Sequence, residues 1–503
     1  MRKTGFVLLV GLSVLWANPI IARTPDTRPP QNPSSHQTQE NKKLLHLDID
    51  TCLDISLKNN RRRPASKFAL EVAEAQHRQA LSAYWPKMSL KSLYSQLDQD
   101  PNFIFPARTI PVPAQTATIP ANSFGAGIPP APVPLTTPAS QFNVPLQNVK
   151  LFDKRNLLTS LNLTYPLYTG GLRGAKVDQA EKGIEVAKQE VRRTELQIIY
   201  DTKKMYYSAV LAEKVLQIAK DSLGRLETTL QFTENLYKAG SGKVKKTDYL
   251  KNKAIVESTR SMVALLENNA KLAKAGLVNT MGLDWQTTIA LTAHEIPYTH
   301  FKGDLSNLVS TSYQFNPDWA KLKAGLEAAE AKIREERSGH LPTIALTGSL
   351  NHIADPYDQG LATGRNKDSW AIGIALELPI FSGFLTQNKI KEARANLAKI
   401  KEEKVLLKEG IALQVKDTFL RLMRSQKQQK AAKEAMLTAT ENRELNERAY
   451  ESKLVETKDV LESQLMESSM QAEYQKILYD HIEAQAKLEF IVGTAVNKIF
   501  TSN

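Results

Sequence analysis

Two hydrophobic periods alternate along the chain. Between residues 171 and 239, small and aliphatic residues recur three to four apart at Val177, Ala180, Ile184, Ala187 and Val191, with charges between them. The same spacing returns within 384–451 at Ile390, Ala393, Leu397 and Ile400, and lapses at Lys404. Spacing of this kind lines one face of a helix. At 1.5 Å per residue, each of these helices is about 100 Å long. Neither stripe is wide enough for burial all round, so each helix is expected as one wall of a bundle.

The second period is two. Ile344, Leu346, Gly348 and Leu350 alternate with Thr343, Ala345, Thr347 and Ser349. Trp370, Ile372, Ile374, Leu376 and Leu378 alternate with Ala371, Gly373, Ala375 and Glu377. In 158–167, Leu161, Leu163, Tyr165 and Leu167 alternate with Ser160, Asn162 and Thr164, whereas 88–97 alternates poorly. One apolar face and one small, polar face suit a sheet with a wet side. About ten residues is also the length of a tilted membrane-barrel strand.

The elements come twice. Glu71-Val72-Ala73-Glu74-Ala75 recurs 256 residues on as Glu327-Ala328-Ala329-Glu330-Ala331, with Asn60 matching Asn316 and Pro86 matching Pro342. Tyr165-Pro166-Leu167-Tyr168-Thr169-Gly170 matches Leu378-Pro379-Ile380-Phe381-Ser382-Gly383 at an offset of 213, as Tyr237 matches Tyr450. Asp248 and Gly282 match Asp459 and Gly493 at 211. Anchors in the same order in both halves mark an internal repeat. Each half reads as a helical segment (47–84, 303–339), a strand after the proline, a second strand, a very long helix, a tight turn and a final helix (247–281, 457–492). The repeats are placed at 44–282 and 303–495, with 283–302 as linker and 496–503 as tail.

From Pro86 to Pro166 is 80 residues but from Pro342 to Pro379 only 37, so the first half carries 43 more. The excess falls in 99–146, which holds 11 of the chain's 24 prolines and almost no charge. Proline there excludes helix and central strand. The stretch reads as a long surface loop, with a proline-rich partner ligand as the sharper alternative.

Composition narrows the compartment. Arg2 and Lys3 precede an apolar run, Phe6 to Ala17, and Ile20-Ile21-Ala22 ends on a small residue, so 1–22 is expected to be a secretory signal. The polar, Pro-rich 23–43 is expected to be a disordered leader. The lone Cys52 excludes an internal disulfide and any cysteine-based zinc site, and lies too far downstream for lipoprotein acylation. No stretch after the signal has the ~20 apolar residues of a membrane helix. The net charge of +13 is spread rather than clustered, which argues against nucleic acid.

Catalytic and cofactor signatures are missing. Gly240-Ser241-Gly242-Lys243 resembles a phosphate loop, but Tyr237 and Val244 replace its required glycine and hydroxyl residue. The eight histidines are scattered without a ligand-like pair, and no nucleophile elbow is present, so neither a metal, a cofactor nor an enzyme is expected. Trp85, Tyr94, Tyr168, Trp370 and Phe381 lie near strand ends, as an interfacial girdle or as core. Four strands cannot close a barrel, and open edges are not tolerated in lipid, so strands facing lipid require several pooled chains.

With its tandem halves and its junction motifs Pro166-Leu167-Tyr168-Thr169-Gly170 and Pro379-Ile380-Phe381-Ser382-Gly383, the chain resembles the TolC-like outer-membrane factor family over about 44–495. The turn motifs Tyr237–Asp248 and Tyr450–Asp459-Val460-Leu461 carry the same resemblance. It implies a mainly α fold with a small β part: a homotrimer in the outer membrane of a Gram-negative bacterium, with a twelve-stranded barrel continued by a coiled-coil tunnel into the periplasm. The duct would be passive, serving efflux or type I secretion, coupled through a periplasmic adaptor to an inner-membrane transporter. Outer-membrane lipid would surround the barrel.

The resemblance places a constricting acidic ring at Asp459 and Glu462, inter-helix ties at Thr247 and Asp248, and a gating tyrosine at Tyr450. The adaptor would meet the turns at Gly240, Ser241, Gly242, Lys243, Lys453 and Leu454. Asp248 and Asp459 also fit as first-turn helix caps. The chain departs from the family at Val455, where an arginine is usual, with Lys245 and Lys246 as available cations. The other reading is a secreted or periplasmic coiled-coil structural protein, which leaves the strands unexplained.

Overall fold

The computed structural model describes residues 44–240, 244–361 and 363–494. The expected signal and leader, Ser241, Gly242, Lys243 and the tail from 496 lie outside the described residues.

The first half runs β1 (Leu45–Leu47), α1 (Ile49–Asn59), α2 (Arg62–Leu81), β2 (Lys87–Gln96), six short strands, β9 (Arg155–Tyr168), α3 (Leu172–Lys238) and α4 (Lys246–Thr280). The short strands are β3 (Asn102–Phe105), β4 (Arg108–Val112), β5 (Gln115–Ile119), β6 (Val133–Thr137), β7 (Ser140–Val144) and β8 (Gln147–Lys150). The second half runs β10 (Ile289–Leu291), α5 (Leu305–Phe315), α6 (Pro317–Arg337), β11 (Thr343–Ala354), β12 (Asp368–Glu377), α7 (Leu385–Glu451) and α8 (Thr457–Val492). The long helices α3 and α7 are 67 residues each.

The repeat anchors have a structural reason. Each expected single helical segment is two helices, broken at Asn60 and Asn316. Asn60 accepts from the Arg62 amide at 3.0 Å and donates to the Thr280 carbonyl at 2.8 Å. Asn316 accepts from the Trp319 amide at 3.1 Å and donates to the Ile491 carbonyl at 2.8 Å. Each asparagine thus starts one helix and ties it to the end of another. Gly282 (φ 69°) and Gly493 (φ 83°) lie against these joints, where a Cβ would press into the carbonyls of Asn59 and Phe315. Only glycine combines that backbone with that approach.

Two apolar cores sit beside these joints. One gathers Leu47, Cys52, Tyr206, Leu277, Met281 and Leu291, and the other Phe301, Leu308, Val415, Leu422 and Leu488. The segment 283–302, read as a linker, carries β10, which pairs in parallel with β1 at Leu45↔Ile289, and it buries Ile296 and Phe301. Three residues are too short for a period-two signal.

The four long strands form one antiparallel sheet in the order β12-β11-β9-β2. Its register puts Trp370, Leu350, Leu161 and Leu90 in one row and Ile372, Gly348, Leu163 and Met88 in the next. Ile374, Leu346 and Tyr165 continue that apolar face. The other face carries Ala371, Ser349, Asn162 and Ser89, then Gly373, Thr347 and Thr164. Directly paired residues share a face, so the alternation of each strand adds up across the sheet. Trp370, Ile372 and Ile374 are each about 70% exposed, and β2 and β12 are unpaired edges.

Pro86 and Pro342 stand just before β2 and β11. Pro166 lies beside a register shift in β9, where a missing amide is tolerated. Gly170 and Gly383 turn the chain from sheet to helix at φ of 61° and 62°, and Pro379 precedes the second turn. Trp85, Tyr94, Trp370 and Phe381 are well exposed on the protomer, and Tyr168 somewhat less.

The expectation of a loop over 99–146 is corrected. Strands β3–β8 form a two-stranded ribbon of three ladders, β3 with β8, β4 with β7 and β5 with β6. In a two-stranded ribbon every strand is an edge, so Pro111 and Pro134 fit with their nitrogens facing out of the ladder.

His481 of α8 pins the second core. It is 1% exposed, with Nε2 2.8 Å from the Thr299 carbonyl and Nδ1 3.0 Å from the Ser425 hydroxyl. Burial pushes its pKa down against the Thr299 bond, and nearby His300 adds to the fall. A depressed histidine costs stability where the unfolded chain binds the proton and the folded chain does not. Stability is therefore expected to be full above the ordinary imidazole range of ~6.5 and to fall as pH drops below it. Thermal unfolding in detergent at stepped pH, compared with His481→Gln, reads this. An identical acid loss in the variant would contradict it.

Candidate functional site

The two helical turns lie at the end of the long helices remote from the sheet. Helix α3 ends through Gly240 at φ 63°, and α7 ends through Lys453 at φ 59°. These positions match at the repeat offset of 213. Lys453 therefore adopts the left-handed turn without glycine, at a cost of ~1 kcal/mol. The Leu454 amide bonds the Ala449 carbonyl at 2.8 Å and the Lys453 amide bonds Tyr450 at 2.9 Å, which closes the helix end.

Asp248 and Asp459 do the same local work. Asp248 Oδ2 accepts from the Lys245 amide at 2.9 Å, and Asp459 Oδ2 from the Glu456 amide at 3.2 Å. Each cap satisfies a free amide at a helix start. Asp459 remains exposed, and Glu462, one turn on, is also exposed with Lys458 at 3.7 Å. Both carboxylates thus face solvent at the turn. Thr247 is exposed. Within the protomer, neither Thr247 nor Asp248 is the partner of Tyr450.

Tyr450 is 6% exposed and bonds Thr233 at 2.9 Å and Thr457 at 2.8 Å. The Asn252 amide reaches Thr233 at 3.3 Å. Deeper in, Gln464 donates to Thr229 at 3.0 Å and to Glu447 at 2.8 Å. Below that, Glu467 is 1% exposed and holds two guanidiniums, Arg225 and Arg443, each at 3.1 Å. Arg443 also reaches Glu447 at 2.8 Å. Burial opposes the charge of Arg443, but the bonds to Glu467 and Glu447 outweigh it and hold its pKa above the ordinary value. Helices α3, α4, α7 and α8 all contribute to this polar column. A small buried apolar cluster, Leu226, Val256 and Leu461, is interleaved with it.

The column was not foreseen, although a signal exists. On α8, Thr457, Val460, Leu461, Gln464 and Glu467 follow one core stripe at three- and four-residue steps. Polar residues at core positions must find partners. Beside Tyr450, a groove of about 770 Å³ opens between the turns, lined by Leu236, Val244, Lys453, Leu454 and Asp459.

Among the described residues, no cluster of three or more His, Cys, Asp or Glu side chains is placed to hold a metal, and no helix is long and apolar enough to cross a membrane.

The family model described as "Outer membrane efflux protein" matches residues 138–283 and 308–494, one stretch in each half. Protein CyaE of Bordetella pertussis is 25% identical over 48% of this chain and 51% of its own length. Outer membrane protein TolC of Salmonella enteritidis is 23% identical over 67% of this chain and 68% of its own. The chain therefore spans between half and about two thirds of these relatives. Among solved structures, a membrane protein from Pseudomonas aeruginosa is similar with a TM-score of 0.69 at 18% identity, covering 90% of this chain and 92% of that one. The Campylobacter jejuni CmeC outer membrane channel has a TM-score of 0.69 at 16% identity, covering 88% and 85%. At such identities the likeness is one of fold.

Proposed function

The chain belongs to the outer membrane efflux protein family, and on that premise we propose that three copies form a passive export duct across the outer membrane. The observation that carries this is the sheet: four strands, two open edges and one face with an exposed apolar band, from the Trp370–Leu350–Leu161–Leu90 row through Ile372 and Ile374. Alone it cannot sit in lipid, but three sheets joined edge to edge give twelve strands with that face outward. The ~100 Å helices then continue the wall as a tunnel. A coiled-coil structural role leaves the sheet without purpose.

The tunnel ends at the polar column and the two turns. Three-fold symmetry makes rings of Asp459 and Glu462 there, and rings of carboxylates favour cations. A periplasmic adaptor, coupling the duct to an inner-membrane transporter, docks on the turns and the groove between them, at Gly240, Lys453 and Leu454. The helical repeats 44–282 and 303–495 each supply one such turn.

Planar-bilayer conductance tests this reading. The wild-type duct is expected to prefer cations, and Asp459→Asn with Glu462→Gln to lose that preference. Asp459→Asn keeps a capping oxygen, so the helix start survives. An unchanged preference would remove the ring from the account, and no conductance from the wild type would remove the duct.

A further inference from the structure

The repeat relates contacts as well as elements. A shift of 213 carries α3 onto α7 end to end, and one of 211 carries Lys246, the start of α4, onto Thr457, the start of α8. The strands obey the same rule. The pairing Lys87↔Thr164 of β2 with β9 becomes Thr343↔Glu377 of β11 with β12. Contacts within each half are therefore equivalent. Contacts between the halves, β9 with β11 and α3 with α8, call for counterparts too. The helices form a row α4-α3-α8-α7. The counterpart of α3 on α8 is α7 on α4, the two ends of that row, and these can meet only between copies. The open strands β12 and β2 stand at the same two ends, so such a helical seam continues the edge-to-edge closure of the sheet.

Exposure agrees with this. Leu413 and Leu420 of α7 are 67% and 55% exposed, yet their repeat mates Tyr200 and Tyr207 on α3 are 7% and 9% exposed. Tyr207 packs in the core that holds Leu478 of α8. Tyr200 donates to Glu483 and stacks on Phe490, both of α8. The shifts turn Tyr200 and Glu483 into Leu413 and Leu272, and Leu272 is 71% exposed. A polar pair joined inside one copy thus corresponds to two uncovered leucines at opposite ends of the row. Two such leucines bury apolar area by meeting.

The tip is joined differently. Within one copy, α3 meets α8 there through Arg225 on Glu467 at 3.1 Å and Thr229 on Gln464 at 3.0 Å. Shifted, these pairs become Thr438 with Val256 and Asn442 with Lys253. The buried ion pair is not carried over. Parting Glu467 from Arg225 strands a buried charge. Parting Asn442 from Lys253, both exposed on the protomer, leaves two groups that water solvates.

We propose that α7 of each copy docks on α4 of the next, with Leu413 against Leu272, and that this seam is where the end of the tunnel parts when the duct opens. This rests on the trimeric reading above. The polar column meanwhile keeps the four helices of each copy together.

Paired-cysteine variants of the full chain test this, because Cys52 is fully buried and does not compete. With a short bismaleimide in detergent, Leu413→Cys with Leu272→Cys is expected to give three linked chains. Leu413→Cys with Met262→Cys, about 15 Å off that register, is expected to stay as single chains. Asn442→Cys with Lys253→Cys is expected to link as the first pair does, and then to lose most of its conductance in a planar bilayer. The link at Leu413, far from the tip, is expected to leave conductance unchanged. Light scattering on the same samples gives the mass. No linkage at Leu413 and Leu272 in a protein that still weighs three chains, or linkage through Met262 instead, would overturn the seam and leave the duct standing. Linkage at Asn442 with conductance unchanged would overturn the parting, as would failure of that pair to link where the first does. A protein weighing one chain would overturn both readings.

Discussion

Glu467→Ala is expected to loosen the end of the helical tunnel by about 3–5 kcal/mol, the cost of removing one partner from a buried ion pair. Glu467 is almost wholly buried, and its partners come from two different long helices, Arg225 from α3 and Arg443 from α7. Arg443 retains Glu447, but Arg225 is left with its charge facing a cavity. Side-chain exposures of 29% for Arg225 and 14% for Arg443 let some water in, so the lower end of the range is expected. Glu467→Gln keeps an acceptor and should cost less. Hydrogen exchange across 225–235 and 443–467 reads the effect directly. A loss of ~3 kcal/mol accelerates opening roughly a hundredfold. The sheet amides should not change. Unchanged exchange at the tip would mean that the column is ornamental and that the turns alone hold the helices.

The second large effect belongs to the sheet. Ile374→Arg puts a charge in the middle of the face taken to meet lipid, where arginine costs about 2–4 kcal/mol. Ser349→Lys lies three residue pairs along the sheet on the other face, opposite Ala371 and Asn162, and a charge there meets water inside the duct. The first variant is expected to lower the folded fraction roughly thirtyfold or more in lipid-vesicle unfolding, and the second to leave it almost unchanged. Equal losses, or a larger loss from Ser349→Lys, would turn the sheet inside out and remove the barrel.

The long helices, the strands and the repeat were legible because their periods persist for many residues. Asn60 and Asn316, or Gly282 and Gly493, were visible as matched letters. Their shared task of joining two helices needed the structure, since the contacts span 220 and 175 residues for the asparagines. The proline-rich stretch was misread because proline argues against a ladder only where a second partner strand is present. The apolar run Phe103-Ile104-Phe105 hid the period of two there. At the tip, Asp248 and Asp459 were legible as helix caps, which the structure shows. Tyr450 was legible as a candidate, but its partners Thr233 and Thr457 were not, because Thr233 lies on another helix 217 residues away. Glu467 was legible in principle, as a carboxylate on a core stripe.

The central claim is that one chain supplies only a third of a barrel. It is tested most directly by the protein mass of the detergent-extracted outer-membrane fraction, from light scattering corrected for bound detergent. The chain as written is 56.1 kDa. A mass close to three chains, less any removed leader, is expected, extracted only with detergent. A protein of one or two chains, released without detergent, would contradict it.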